Sequence, residues 1–359
     1  LKQRCSASFR NFHYLPIARC GSAGQPRMGN VGAASITDTY HLQKVKLGEG
    51  SFGVVWRGVH RQTGEIVAVK QLSKAGMPAR GVRRADVDRE IKMVASLAHE
   101  NIIRLYQTFE DSDYIYMALE YCEGGDFGDK VLERGLHIQE PEMSFWVHEM
   151  LSAITFMHMQ RICHRDIKPD NFLVAQTAEG SKLKLADLGL ACQCPSGRLL
   201  VDKCGTPAFM APEQHDMPSR SRGYGLRVDV WAAGVCMYML MLGGRHPFLN
   251  SRGQLDQRSL MSGRLDFRPC GLLGSLGIAA QRMSEDARSA CQAMVCVGPK
   301  QRLKADDACA RVHGLGLSRG SRKSTLTSAS PSPLPDDAGS PGAHLPFPGL
   351  PSRPSKEDA

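Results

Sequence analysis

The run His164-Arg165-Asp166-Ile167-Lys168-Pro169-Asp170-Asn171 decides the fold of this chain. It packs charged side chains, a proline and an amide into one short stretch, a composition typical of a loop. Alone, the run is compatible with an ordinary polar turn. Its meaning comes from the motifs that stand before and after it in the chain.

Two polar turns follow this loop at short intervals. Leu183-Lys184-Leu185-Ala186-Asp187-Leu188-Gly189 ends a predicted strand with an acid and a glycine, and Gly205-Thr206-Pro207 stands shortly before Ala211-Pro212-Glu213. Each segment alone could be an ordinary turn. All of them, in this order and with these gaps, are hard to attribute to chance.

A glycine-rich turn precedes them, Leu47-Gly48-Glu49-Gly50-Ser51-Phe52-Gly53-Val54-Val55. Its Gly-x-Gly-x-x-Gly spacing alone also fits a flexible hairpin or a dinucleotide-binding turn. A dinucleotide motif should open a helix, whereas this one leads into the β-prone Val54-Val55-Trp56. Glycines at a strand turn let backbone N–H groups approach a phosphate, so we interpret the turn as a phosphate-binding candidate.

A lysine stands on the next predicted strand, Val67-Ala68-Val69-Lys70. Strand alternation places Ala68 and Lys70 on one face, where the lysine would be desolvated unless it meets an anion. Glu90, in the predicted helix Arg84–Leu97, is the natural partner. The alternative for each of the two charges, taken alone, is a solvated surface position.

The middle of the chain changes character once, at Gly124-Gly125. Before these glycines the pattern favours strands with one helix, and after them it favours helices. A small β-rich lobe and a larger helical lobe with a cleft between them are therefore expected. The predicted strands are Val54–Trp56, Ile66–Val69, Ile102–Tyr106 and Tyr114–Leu119, and the later helices are an amphipathic one over Met143–Met157 and a buried one over Val228–Leu242.

Composition excludes several classes of protein. The 359 residues carry a net charge of +9, with five basic residues and no acidic one in residues 1–37. The middle, 38–314, is only mildly basic, so a nucleic-acid-binding domain is not favoured. The longest apolar run, Val230–Leu242, is too short to span a bilayer. The 12 cysteines form no CxxC pair, which argues against a zinc ribbon.

Together these motifs resemble the eukaryotic protein kinase superfamily over about residues 40–314, with Asp-Leu-Gly at Asp187 in place of Asp-Phe-Gly. Asp229-Val230-Trp231 and Arg302 also match the family pattern. The positions of Lys168 and Thr206 resemble the pattern of the Ser/Thr class. The sequence around Tyr121–Phe127 is similar to that of the calcium/calmodulin-dependent group. The resemblance implies an α+β bilobal protein kinase fold, with a small antiparallel β-sheet lobe that carries one helix and a larger, mainly α-helical lobe.

The resemblance implies transfer of the γ-phosphate of Mg-ATP to Ser/Thr hydroxyls of protein substrates. Asp166 would accept the hydroxyl proton, and Lys168 would lie on the γ-phosphate. Lys70 would hold the α/β-phosphates, oriented by Glu90. The metal ligands would be Asn171 and Asp187 for Mg²⁺, and the ATP-binding residues would be Leu47, Gly48, Glu49, Gly50, Ser51, Phe52, Gly53, Val55, Ala68, Lys70, Glu120, Cys122 and Leu173.

Two regulatory features are also expected from the resemblance. Asp202 stands four residues before Thr206 in the activation loop, where many kinases carry a phosphorylated threonine, so Asp202 could pair with Arg165 without modification. A solvated loop acid is the alternative. Acids near the cleft mouth would attract Arg or Lys upstream of the target residue, although exposed acids are usually only solvated; they are Glu123, Asp126 and Asp170.

Two alternatives stay open at this point. A pseudokinase scaffold would have the same fold without transferase activity, but it predicts loss of Lys70, Asp166, Asn171 or Asp187, and all four are present. A link to calcium signalling would usually bring EF-hand loops, and the sequence contains no such motif. Direct Ca²⁺ sensing is therefore not supported by the sequence.

The ends and the last part of the domain carry further expectations. Met28-Gly29-Asn30 resembles a myristoylation start, although Ala33 occupies the Ser/Thr position; the alternative is a Gly-rich linker. A cytoplasmic monomer is expected, weakly membrane-anchored if Gly29 is acylated, with no nucleic-acid partner and no transmembrane segment. After His313 no closing helix is recognisable. The expected divisions are a disordered segment 1–37 (1–27 a candidate untranslated leader), a kinase domain 38–314 with lobes 38–121 and 122–314, and a disordered Pro/Ser-rich tail 315–359.

Overall fold

The computed structural model describes residues 35–50, 53–79, 81–134, 138–178, 180–268 and 283–317. Most of the two predicted terminal segments, the myristoylation candidate at Gly29, the ATP-binding candidates Ser51 and Phe52, and nearly all of Pro269–Met283 lie outside these residues. In the described part, none of the helices is both long and apolar enough to cross a membrane.

The N-terminal part is built on one antiparallel sheet. Its strands are β1 Tyr40–Gly50, β2 Gly53–His60, β3 Ile66–Ser73, β4 Leu105–Glu110 and β5 Tyr114–Glu120, and its helices are α1 Ile36–Thr39, α2 Gly76–Ala79 and α3 Arg84–Ser96. The strand order is β1-β2-β3-β5-β4. Val67 and Val69 are buried at alternate positions of β3, as the sequence pattern predicts.

One strand prediction is wrong in its limits. Ile102 does not join β4; it forms an isolated parallel bridge with Leu185, and the β4 ladder begins at Leu105. The apolar run from Ile102 is buried because it packs between the two parts of the fold. A buried strand and a buried segment outside the sheet give the same apolar run in a sequence.

The C-terminal part is mainly helical. Its helices are α4 Phe127–Arg134, α5 Glu140–Met159, α6 Pro212–His215, α7 Arg227–Met241, α8 Gln257–Ser262, α9 Glu285–Met294 and α10 Ala305–Leu317, and its short strands are β6 Gly125–Asp126, β7 Ile162–Cys163, β8 Phe172–Thr177, β9 Gly180–Leu185 and β10 Cys192–Gln193. Residues 228–241 of α7 are all buried, and α5 buries the predicted apolar face. The α+β class and the two-part architecture are confirmed.

The structure places a helix where the sequence predicts none. Helix α10 runs through His313 to Leu317, past the expected end of the domain, and packs against α5. The Ser144 hydroxyl donates to the Val312 carbonyl at 2.7 Å, and Val312 is fully buried. Gly314 and Gly316 weaken the helical pattern in the sequence, so the helix depends on tertiary packing rather than on its own propensity.

A buried ion pair joins the Ala-Pro-Glu turn to the helical core. The Arg302 guanidinium is fully buried and donates to the two carboxylate oxygens of Glu213 at 2.8 and 2.9 Å. It also donates to the Cys296 and Arg227 carbonyls and lies over the Trp231 ring. Since every donor has a partner, the buried charge is tolerated.

Replacement of Glu213 by Ala is therefore expected to lower the free energy of unfolding by about 3–5 kcal/mol, because it leaves a buried guanidinium unpaired. Glu100→Ala is the control: it removes an exposed pair with Lys182, worth about 0–1 kcal/mol. Urea unfolding of both variants measures the difference. Equal losses would contradict this account of the Glu213 pair.

Candidate active site

The first pair of the site links the sheet to helix α3. The Lys70 ammonium on β3 lies 2.6 Å from a Glu90 carboxylate oxygen on α3, and both side chains are mostly buried. Burial alone would lower the pKa of Lys70, but the carboxylates of Glu90 and Asp187 outweigh it and raise the pKa. The lysine is therefore a mostly buried cation paired with Glu90, the partner that the sequence analysis names, rather than a solvated surface lysine.

The described glycines of the glycine-rich motif lie on β1 and β2, and β2 pairs with the strand that carries Lys70. Gly50 pairs with Gly53 at the end of the ladder, and Val55 pairs with Lys70 on β3. A Cβ atom on Gly53 would lie only 1.9 Å from the Gln71 carbonyl oxygen, so this position accepts glycine alone. Glycine at position 53 therefore permits the close approach of β2 to β3.

The remaining candidates for an adenine pocket lie on neighbouring strands. Ala68 pairs with Leu119 across β3 and β5, and Leu173 on β8 pairs with Asp126 on β6. The Glu120 N–H donates to the Arg104 carbonyl at 2.9 Å. Leu47 and Gly48 are half-buried on β1, Glu49 beside them is exposed, and Cys122 is buried just after β5.

The loop that carries Asp166 is organised by hydrogen bonds to its carboxylate. The Thr206 N–H and hydroxyl donate to one oxygen at 2.8 and 2.7 Å, and the Asn171 amide donates to the other at 3.1 Å. The Lys168 ammonium lies 3.4 Å from that second oxygen. Burial would raise the pKa of Asp166, but Lys168 and these hydrogen bonds lower it, so the carboxylate is ionised at neutral pH.

Gly205 lets the later turn reach this loop. Its φ of +108° lies in the region that favours glycine, and a Cβ atom would lie 2.3 Å from the Arg165 carbonyl oxygen. The close approach brings the next residue, Thr206, to Asp166 and Lys168; the Lys168 ammonium donates to the Thr206 hydroxyl at 3.0 Å. The Asp166 carboxylate thus binds a residue that lies 40 positions later in the chain.

The predicted metal ligands stand on adjacent segments, since the Ala186 N–H donates to the Asn171 carbonyl at 2.8 Å. Asp187 is exposed just after β9, and one of its oxygens accepts from the Gly189 N–H at 2.9 Å. The Asn171 amide nitrogen is engaged with Asp166, so its oxygen is the atom left for a cation. A carboxylate and an amide oxygen form the donor set that Mg²⁺ uses together with phosphate oxygens and water.

A buried tyrosine, which the sequence pattern did not single out, tethers the activation loop. The Tyr224 hydroxyl donates to the Asp202 carbonyl at 2.6 Å and accepts from Arg165 at 3.4 Å. The backbones of Tyr224 and Leu200 exchange two hydrogen bonds at 2.8 and 2.9 Å. The predicted Asp202–Arg165 approach is present at 3.7 Å, but the Asp202 side chain is 82% exposed.

Two of the three predicted acids at the cleft mouth lie together. Burial, with Asp129 and Asp170 nearby, raises the pKa of Asp126 to about 6. Burial also raises the pKa of Asp170. Glu123 stands on an exposed turn just before them. Asp129 was missed by the sequence reasoning, because nothing in the pattern shows that the start of α4 turns toward Asp126.

Comparison with known proteins agrees with this geometry. The family described as "Protein kinase domain" matches residues 41–313. Human serine/threonine-protein kinase DCLK3 is 34% identical over 287 residues, which cover 79% of this chain and 41% of that protein.

Two other relatives are similarly distant. A probable myosin light chain kinase of Dictyostelium discoideum is 34% identical over 235 residues, 65% of this chain and 58% of the relative. Calcium-dependent protein kinase 10 of Arabidopsis thaliana is 33% identical over 276 residues, 77% of this chain and 48% of the relative. The chain spans about half the length of these relatives. Since the family match covers most of the sequence and the motif residues meet in one cleft, the chain belongs to the protein kinase family.

Proposed function

We propose that this chain is a serine/threonine protein kinase that transfers the γ-phosphate of Mg-ATP to hydroxyl groups of protein substrates. Membership in the family implies ATP, a divalent metal ion and protein substrates in general. One observation carries the finer proposal: the Asp166 carboxylate, Lys168 and Thr206 form one hydrogen-bonded group while the Lys70–Glu90 pair is closed.

Each group has a distinct task in the proposed reaction. Asp166 orients the substrate hydroxyl and accepts its proton, because its carboxylate is ionised and held rigidly by Thr206. Lys168 stabilises the charge of the phosphoryl group in transfer, and Lys70 holds the other phosphates. Phosphoryl transfer needs little covalent chemistry from the protein, so position and charge account for most of the catalysis.

The ATP site would extend from the glycine-rich turn to the segment after β5. Backbone N–H groups at Gly48, Gly50 and Gly53 would cover the phosphates, and Leu47, Val55, Ala68 and Leu173 would enclose the adenine. The backbone at Glu120 and Cys122 pairs with the edge of the base. A bound Mg²⁺ would neutralise the phosphate oxygens, held by Asp187 and by the oxygen of Asn171.

The likeness to calcium-dependent kinases supports a link to calcium signalling, which we include in the proposal. The sequence itself contains no EF-hand loop. Phosphate transfer by this chain is therefore expected to proceed without added Ca²⁺.

Purified chain is expected to transfer phosphate from Mg-ATP to Ser/Thr peptides of a library, with equal rates in Ca²⁺ and in chelator. Asp166→Asn should lower the rate by about 10²–10⁴-fold, because the base is lost while the fold is kept. Wild-type chain that transfers no more phosphate than Asp166→Asn would support a scaffold role instead.

A second prediction concerns substrate choice and pH. Asp126 has a pKa near 6, so its carboxyl is charged above that pH and neutral below it. The kcat/KM for peptides with Arg three residues before the target should fall as the pH drops from 7.5 to 5.5. Peptides without Arg should change less, and Asp126→Asn should remove the difference. Equal pH profiles for both peptides would contradict this role of Asp126.

A third prediction concerns the activation loop. Protein without phosphate, as verified by intact mass, is expected to be active, because Tyr224 holds the Asp202 backbone beside Arg165. Asp202→Ala should reduce kcat by up to about fivefold, since an exposed pair contributes about 0–1 kcal/mol. Tyr224→Phe should reduce it more. The reverse order would assign the tether to the Asp202 carboxylate, and full activity of Asp202→Ala would remove its side chain from the account.

A further inference from the structure

Glu110, the last residue of β4, binds two cations from two other elements. Its carboxylate accepts both Nη groups of Arg84 at 2.6 and 2.8 Å. One of the same oxygens lies 2.7 Å from the Lys74 ammonium. The Glu110 side chain is 19% exposed, whereas the Lys74 and Arg84 side chains are 30% and 48% exposed, so only the acidic partner is mostly buried.

These two cations stand at the ends of the elements that form the active-site ion pair. Lys74 directly follows β3, the strand that carries Lys70. Arg84 opens α3, the helix that carries Glu90, about 9 Å away along the helix axis. One carboxylate thus connects the end of the Lys70 strand to the start of the Glu90 helix.

Helix α3 has few other buried contacts. Its buried side chains are Val87, Met93 and Val94. The opposite face, with Arg89 and Lys92, borders an open groove of about 460 Å³ toward β10. The helix is therefore packed on one face and borders open space on the other. Contacts at its first turn therefore help to fix its position.

The charge arrangement makes this contact stronger than a usual surface pair. Isolated exposed ion pairs contribute little, but a bidentate Arg–carboxylate contact within a network is an exception. Hydrogen bonds from Arg84, then from Lys74, lower the pKa of Glu110 to about 2. The carboxylate is therefore charged at every pH at which the protein would be assayed, and it differs in this from Asp126.

We propose that Glu110 is a positioning residue that fixes the spacing between the Lys70 strand and the Glu90 helix by binding Lys74 and Arg84 together. The inference rests on the proposed function, in which the Lys70–Glu90 pair holds the phosphates of ATP. Glu110 itself acts through α3 and has no contact with the reacting groups.

The test is a kinetic double-mutant cycle. Glu110→Gln keeps the shape of the side chain and removes its charge; kcat/KM for ATP should fall about tenfold, within the usual range for members of one ionic network. In a Glu90→Gln background, Glu110→Gln should have less than a twofold further effect. A role in stability alone predicts the same loss in both backgrounds, and that result would overturn the proposal.

Arg89→Gln is the matched control. Arg89 is also an arginine of α3, but its ion pair with Asp86 stays within the helix. This variant should keep the wild-type rate. A loss equal to that of Glu110→Gln would show that any charge change on α3 matters, and it would overturn the specific role of Glu110.

Hydrogen exchange gives a readout that does not need activity. Amides of residues 84–96 should exchange faster in Glu110→Gln than in wild type and at the wild-type rate in Arg89→Gln. Unchanged exchange in Glu110→Gln would overturn the proposal. Wild-type protein that transfers no phosphate would refute the proposed function instead, and the exchange rates would still decide the role of Glu110.

Discussion

The buried Asp229 carboxylate is the contact on which the rest of the site depends. It lies on α7, is almost fully buried, and accepts from the N–H groups of His164 and Arg165 at 2.8 and 2.9 Å. His158 also contacts it at 2.9 Å. Burial would raise the pKa of Asp229, but the His158 hydrogen bond and the other donors lower it. The loop can hold Arg165 at a φ of +71° because relaxation would cost the buried carboxylate its hydrogen bond from the Arg165 N–H.

The same physical device recurs at two other junctions. Glu213 binds the buried guanidinium of Arg302, which joins the Ala-Pro-Glu turn to the core. Glu110 binds Lys74 and Arg84, which joins the sheet to α3. In each case a carboxylate connects segments that are far apart in the chain. Asp166 is therefore positioned by the helical core, whereas the Lys70–Glu90 pair is positioned by the sheet and its helix.

The sequence was informative wherever a local pattern had one physical interpretation. Alternation on β3 predicted that Lys70 would face inward, and the all-apolar run predicted the buried helix α7. Two long-range contacts could not be predicted: Tyr224 and Glu110 look like ordinary residues until the fold brings their partners close. Helix α10 was missed because its buried face contains small residues and its end contains glycines, so that packing on α5 rather than propensity stabilises it.

The most direct test of the account is the identity of the amino acid that receives phosphate. Purified chain, mixed with a protein substrate and γ-labelled ATP in the presence of Mg²⁺, is followed by acid hydrolysis and separation of the phosphoamino acids. The account predicts label on phosphoserine or phosphothreonine, with none on phosphotyrosine, and its loss in Asp166→Asn. Label on phosphotyrosine would contradict the assigned class, and no label above the Asp166→Asn level would contradict the proposed catalysis.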